Sequence, residues 1–200
     1  LLDFEVSGFH IDIENLVAAG RGTAFKNLGM VNTMGVELNT TLNTSLIQKI
    51  IPNVHLVYSF LHTEVSQGEI KSNVRGTIGS TVNISGKELP YAPAHTLTAG
   101  LSNQMKNFSY RVDFRYVREV YTDFENIEDE DKLGIQGEIP SYSFINLSAD
   151  YRINSKYRLF LTGKNIQDKI YIGSRLHSNP GQPQANISSG ILPGPRRQIN

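Results

Sequence analysis

The sequence predicts an all-β fold: an antiparallel up-and-down transmembrane β-barrel, crossing the bilayer with strands. Three observations lead there. Long stretches alternate apolar and polar residues, which is the period-two signature of a strand with two unlike faces. The connectors between them alternate between short turns and long loops, and tyrosine recurs near strand ends. No apolar run approaches the roughly 20 residues that a membrane-spanning helix needs.

From the amino terminus, Phe9, Ile11 and Ile13 alternate with His10, Asp12 and Glu14, and the glycines of Ala18–Thr23 signal a turn. Across Asn27–Asn43, Val36, Leu38, Thr40 and Leu42 alternate with Glu37, Asn39, Thr41 and Asn43. Ser45–Pro52 is a connector with a short apolar patch and room for one helical turn, which Pro52 ends. Asn53–Gln67 alternates again, with weaker contrast between its faces. Ser66–Lys87, polar and glycine-containing, reads as a surface loop. Pro90 and Pro93 force an extended lead-in to a strand over His95–Gln104, and Lys106-Asn107 turns the chain.

Phe108–Tyr121 alternates most sharply, with Phe108, Tyr110, Val112, Phe114 and Tyr116 against Ser109, Arg111, Asp113 and Arg115. Asp123–Glu138 is an acidic loop. Ile139–Tyr171 reads as two antiparallel strands. A three-residue turn, Asn154–Lys156, sets Ile153 opposite Tyr157 and aligns the two apolar faces. Gly173–Pro195 is a second long loop, and Arg196–Asn200 begins a last strand. The total is about eight strands, longer than the roughly 5–6 residues of an ordinary strand. They also exceed the roughly 9–11 residues that suffice to cross a bilayer. Lumen-facing Arg111, Asp113, Arg115, Asp150, Arg152, Arg158 and Lys164 suit a wide barrel better than a closed eight-stranded one, whose narrow interior side chains fill. Leu1-Leu2-Asp3-Phe4 and Asn200 both read as interior to strands, so a piece of a longer protein is expected.

Composition removes several classes of function. Formal net charge is zero, which gives no steering toward nucleic acid. Cysteine is absent, so there is neither a disulfide framework nor thiolate chemistry. No nucleophile–base arrangement stands out, and the five histidines lack metal-ligand spacing; His55 and His62 fall on opposite faces of one strand. No glycine-rich phosphate cradle opens a helix, so no cofactor is expected and the chain reads as a non-enzyme. The acidic run Glu125, Glu128, Asp129, Glu130, Asp131 lacks calcium-loop spacing and reads as a solvated loop. Arg175, His177, Arg196 and Arg197 border the last long loop. Arginine forks recognise carboxylates and other multi-oxygen anions. These residues either tie the loop down and line a polar lumen, or hold an anionic ligand at the barrel mouth. A passive porin-type barrel and a soluble β-sandwich binding module are the other readings of the pattern.

The run Asn146-Leu147-Ser148-Ala149-Asp150-Tyr151-Arg152-Ile153, then Leu159-Phe160-Leu161, then Lys164-Asn165-Ile166-Gln167-Asp168-Lys169-Ile170-Tyr171 resembles the end of TonB-dependent outer-membrane receptors. Gly86–His95 and Pro193-Gly194-Pro195-Arg196-Arg197 resemble that family's approaches to an earlier strand and to the last one. The last long loop is most similar to the ferric-citrate-receptor branch. Ile166-Gln167 and the missing terminal aromatic depart from the family pattern. The resemblance implies that residues 1–200 are the C-terminal part, about eight strands, of one barrel domain of about 22 strands. It implies a bacterial outer-membrane receptor surrounded by outer-membrane lipid, taking up a ferric chelate such as a siderophore or ferric citrate, or a similar nutrient. A plug domain and contacts with the TonB complex would lie in N-terminal regions outside this chain. It further implies that Ala18–Thr23, Ser66–Lys87, Asp123–Glu138 and Gly173–Pro195 face outside, and that Ser45–Pro52, Asn103–Asn107 and Asn154–Lys156 face the periplasm.

Overall fold

One antiparallel sheet of eight strands dominates the computed structural model, which describes residues 1–19, 25–72, 74, 76–175 and 190–200. Its strands are β1 (Leu2–Ile13), β4 (Met30–Leu42), β5 (Asn53–Gln67), β8 (His95–Met105), β9 (Phe108–Val117), β10 (Tyr142–Arg152), β11 (Arg158–Lys164) and β14 (Gln198–Ile199), hydrogen-bonded in that order. Three two-stranded ribbons stand in the long connections: β2 (Val17–Ala19) with β3 (Phe25–Asn27), β6 (Glu69–Lys71) with β7 (Thr81–Asn83), and β12 (Ile172–Arg175) with β13 (Ile191–Pro193). The only helical element among the described residues is a single 3-10 turn, Thr44–Leu46, inside the expected connector. No helix among them is long and apolar enough to cross a membrane.

Register makes the two faces of the sheet continuous. Leu42, Val54, Leu101, Val112 and Leu147 form one cross-strand row over five strands. Phe4, Thr40, Leu56, Ala99, Phe114 and Ile145 form the adjacent row on the same face. The row between them, on the opposite face, is Asp3, Thr41, His55, Gly100, Asp113 and Asn146. Facing residues share a side of the sheet, so a strict alternation in sequence becomes an apolar sheet backed by a polar one. Phe114, Leu159 and Leu161 stay exposed on the apolar side, with no second sheet over them. A sandwich would bury that face, so the soluble β-sandwich reading does not hold. The face is matched to lipid.

Near the end that carries the long connections the apolar face turns polar. Asn32 donates to Asp12 Oδ1 at 2.7 Å, and His62 lies 3.5 Å from Glu64. Those residues share the parity of Phe4 and Leu56, so the apolar band on this face ends before β1, β4 and β5 do. The register also sorts the apolar residues of β1 onto two faces. Its lipid-side residues are Leu2, Phe4 and Val6, whereas Phe9, Ile11 and Ile13 share the face of Asp3. The physical reason is local. Phe9 pairs with Gly35 and lays its ring where a Cβ would be, 2.6 Å from the ideal position.

The polar face carries its own hydrogen bonds. His55 Nε2 lies 2.6 Å from Asp113 Oδ1, reaching across β8, and the Arg111 Nε donates to Asp113 Oδ2 at 2.8 Å. The residue between them in register is Gly100. A Cβ there would stand 2.1 Å from His55 Cε1 and 2.3 Å from Asp113 Oδ1, so glycine is what allows the two side chains to meet.

The short turns match expectation. Lys106, at φ 49, and Asn107 close a two-residue hairpin between Met105 and Phe108. Asn154 Oδ1 accepts the Lys156 and Tyr157 N–H groups at 2.8 and 3.0 Å, and Ile153 does face Tyr157.

Candidate functional site at the long-loop mouth

The long connections gather at one end of the sheet and pack against one another. Ser66–Lys87 is not merely a polar surface loop. Ile70 and Ile84 are buried with Leu28, Val31 and Val65, and Leu16, Leu89 and Phe124 pack against them. The apolar residues are sparse in sequence, so their burial depends on partners from β4, β5 and two other connections. The Gly86–His95 segment runs along the upper half of β5: Lys87 O accepts Val65 N–H at 2.8 Å and Ala94 O accepts Leu61 N–H at 3.0 Å. Pro90 and Pro93 lack the N–H groups a regular ladder would need, so the segment stays irregular.

Asn126 binds the backbone of Glu88 at both ends, accepting its N–H at 2.7 Å and donating to its carbonyl at 2.9 Å. Ser72 donates to Glu125 at 3.1 Å. Within the acidic loop two carboxylates serve the backbone: Asp131 Oδ1 accepts Ile135 N–H at 2.7 Å and Asp123 Oδ1 accepts Glu125 N–H at 2.9 Å. No group of His, Asp and Glu among the described residues has metal-binding geometry.

Arg175 is the centre of this assembly. Its side chain is 1% exposed. The guanidinium donates to Gly134 O at 2.7 Å, to Glu130 Oε2 at 2.7 Å and to Glu138 O at 2.9 Å. Its backbone carbonyl accepts the Tyr91 hydroxyl proton at 3.1 Å, while its N–H donates to the same oxygen at 3.2 Å. One residue therefore joins the connections that follow β5, β9 and β11.

Beside it opens a cavity of about 320 Å³ lined by Glu88, Arg118, Glu119, Tyr121, Glu128 and Glu138. Arg118 pairs with Glu119 at 2.6 Å, leaving Glu88, Glu128 and Glu138 in excess. Burial, then the charges of Glu119 and Glu128, push the Glu138 carboxyl above the ordinary range. Burial, then the charges of Glu128, Glu88 and Glu138, raise the Tyr121 phenol.

Of the four residues singled out from sequence, Arg175 is sealed into the loop knot. Arg196 is held by Asp168, donating Nε to Oδ1 at 2.8 Å and Nη2 to Oδ2. Arg197 donates its N–H to Asp168 Oδ1 at 3.0 Å and exposes its side chain. His177 lies outside the described residues. Sequence reasoning passed over Tyr91 and Asn126, and it read Glu130 only as part of a solvated acidic run, whereas Glu130 pairs with Arg175. For Tyr91 a signal was present, a tyrosine between two prolines; for the others, nothing marks them off from neighbouring polar residues.

A family model, TonB dependent receptor-like β-barrel, matches residues 1–166. The chain belongs to the TonB-dependent receptor β-barrel family. Solved structures share its fold. The ferric citrate transporter FecA in its unliganded form superposes with a TM-score of 0.75 at 18% identity, covering 99% of this chain and 28% of that one. The siderophore receptor PiuA from Acinetobacter baumannii gives 0.69 at 19%, covering 99% and 25%. The copper transporter OprC gives 0.66 at 16%, covering 99% and 28%. The chain thus spans about a quarter of the length of each, and forms part of a barrel wall. No curated protein matches it in sequence.

The TonB-dependent receptor likeness at Lys164–Tyr171 has a structural meaning here. Asn165 and Asp168 both take left-handed backbone, φ 46 and 55. Asn165 Nδ2 donates to Lys169 O at 2.8 Å and to Pro195 O at 3.1 Å. With Asp168 on Arg196 and Arg197, the segment clasps the approach to β14 onto the end of β11. Tyr171 then stacks on Tyr142 with ring centroids 4.4 Å apart.

Proposed function

We propose that this chain is the C-terminal part of an outer-membrane receptor that captures a ferric chelate, a siderophore or ferric citrate, at its loop end and imports it with energy from the TonB complex. The observation that carries the reading is the knot at Arg175 in a barrel of this family. Three long connections are packed into one body at one end of the sheet, which is what a preformed binding mouth requires. The match to the TonB-dependent receptor barrel model favours a receptor over a passive porin. The long connections face outside and the short turns face the periplasm. Arg197, whose side chain is exposed, is the group offered to an anionic chelate, while Arg175 and Arg196 hold the walls around it.

The test uses the full-length protein. Ferric citrate and a ferric catecholate are titrated against the parent, Arg197→Ala and Arg175→Ala. The reading expects weaker binding with unchanged thermal stability for Arg197→Ala, and loss of both for Arg175→Ala. Absence of ferric-chelate binding by the parent, or uptake that persists in cells lacking TonB, would overturn it.

A further inference from the structure

The connector between β4 and β5 carries an apolar surface that neither the barrel wall nor the mouth uses. Leu46, Ile47, Ile50 and Ile51 are 73, 71, 67 and 39% exposed, comparable with or above lipid-facing Leu161 at 44%. These four lie within a stretch whose only charge is Lys49. A water-exposed turn at the short-turn end would not be expected to display four large aliphatic side chains together.

The connector is ordered by specific bonds. Leu46 and Ile47 N–H groups donate to Asn43 O and Thr44 O at 3.2 and 2.9 Å, and Ser45 N–H donates to Asn53 Oδ1 at 3.0 Å. Its direction is fixed by Asn103, whose Nδ2 donates to Lys49 O at 3.0 Å. Asn103 pairs with Tyr110, so it has the parity of the lipid-facing side, and it is buried. The connector therefore folds toward the outside of the barrel. It starts just past the paired Leu42 and Val54, the last apolar rung of β4 and β5. Its aliphatic surface is continuous with the lipid-facing one.

We propose that this connector is an interfacial membrane anchor, with Leu46, Ile47, Ile50 and Ile51 entering the adjacent leaflet and Lys49 at the level of the lipid phosphates. Apolar side chains beside a single cation are the composition of a segment lying in the interface plane. Tyr151 and Tyr157, exposed on the same face beside the Asn154–Lys156 turn, place a second boundary marker at the same end of the barrel.

The proposal rests on the membrane-barrel reading, and the experiment separates the two. Single cysteines replace Ile47, Ile50, Leu159 and Ser155 in the full-length protein, which is labelled with an environment-sensitive fluorophore in phospholipid vesicles. Acyl-chain-brominated phosphatidylcholine is the quencher. Labels at Ile47 and Ile50 should emit to the blue and be quenched nearly as strongly as the label at Leu159, with Ser155 as the aqueous reference. If Leu159 is quenched while Ile47 and Ile50 behave like Ser155, the anchor is wrong and the barrel reading stands. Shielding of Ile47 and Ile50 without bromolipid quenching would put a protein there and also overturn it, as would shielding lost on dilution in lipid, the mark of a second copy. An unquenched Leu159 would overturn the membrane reading and the anchor together. Leu46→Cys, equally exposed, replaces either variant if its barrel does not fold.

Discussion

Asp168 grips Arg196 with both carboxylate oxygens while accepting the Arg197 N–H at 3.0 Å. Those bonds hold its carboxyl well below the ordinary range, the Arg196 hydrogen bond first and the Arg197 N–H second. A depressed carboxyl contributes stability that is complete above its unfolded value and lost only as pH falls through the folded one. The clasp is thus expected to survive ordinary acid. Asp168→Asn should lower the melting temperature at neutral pH and let β14 exchange its amides faster. The difference from parent should shrink only in strong acid. Equal amide exchange in the two proteins at neutral pH would contradict this.

Glu138 moves the other way. The folded loop holds its proton more tightly than the unfolded chain does, so its contribution is present below the ordinary carboxylate value and lost as pH rises through the raised one. Protease resistance of residues 123–139 should therefore fall between mild acid and neutrality. Glu138→Gln should flatten that dependence and raise resistance at neutral pH, because the repulsion from Glu119 and Glu128 is gone.

Arg175→Ala removes three hydrogen bonds to a charged donor from a sealed site, a loss of about 2–3 kcal/mol after solvent fills part of the gap. The damage should be confined to the mouth. Limited proteolysis should newly cut the connections after β5 and β9, while cutting at Asn154–Lys156 stays as in the parent.

Gly100→Ala sets a methyl group against His55 and Asp113 and should cost about 1–3 kcal/mol. Combined with His55→Ala the same change should cost much less, because the two residues share one space. Additive losses, measured by urea unfolding in lipid, would show that the glycine serves some other end.

Phe114→Arg lies in the middle of the lipid-facing rows and should cost about 2–4 kcal/mol in membrane folding. Thr98→Glu, on the other face and directly opposite Arg115, should be tolerated. Similar losses for both would mean that the faces are assigned the wrong way round.

The wall was legible because each strand residue meets one of two media, so parity alone carries the information. Asn53–Gln67 and the Ile153–Tyr157 pairing appear in the structure where alternation placed them. At Phe9 alternation leaves the medium open, and only the register with β4 reveals that its ring covers Gly35. The mouth was much less legible. Ile70 and Ile84 are single apolar residues in polar loops, and their burial is set by Leu28 and Val31, far away in sequence. Arg175 was found as a cation at a loop border, but its partners Glu130, Gly134 and Glu138 are held by no local pattern. Gly100 had a sequence signal, a glycine inside a strand, though not the identity of what passes over it.

The Arg175 knot has a mechanical consequence. Three connections share one guanidinium and one tyrosine hydroxyl, so none can swing aside while those bonds hold. The Asn126–Glu88 and Ser72–Glu125 bonds tie two of the same connections again, so displacing any one of them loads the bonds that hold its neighbours.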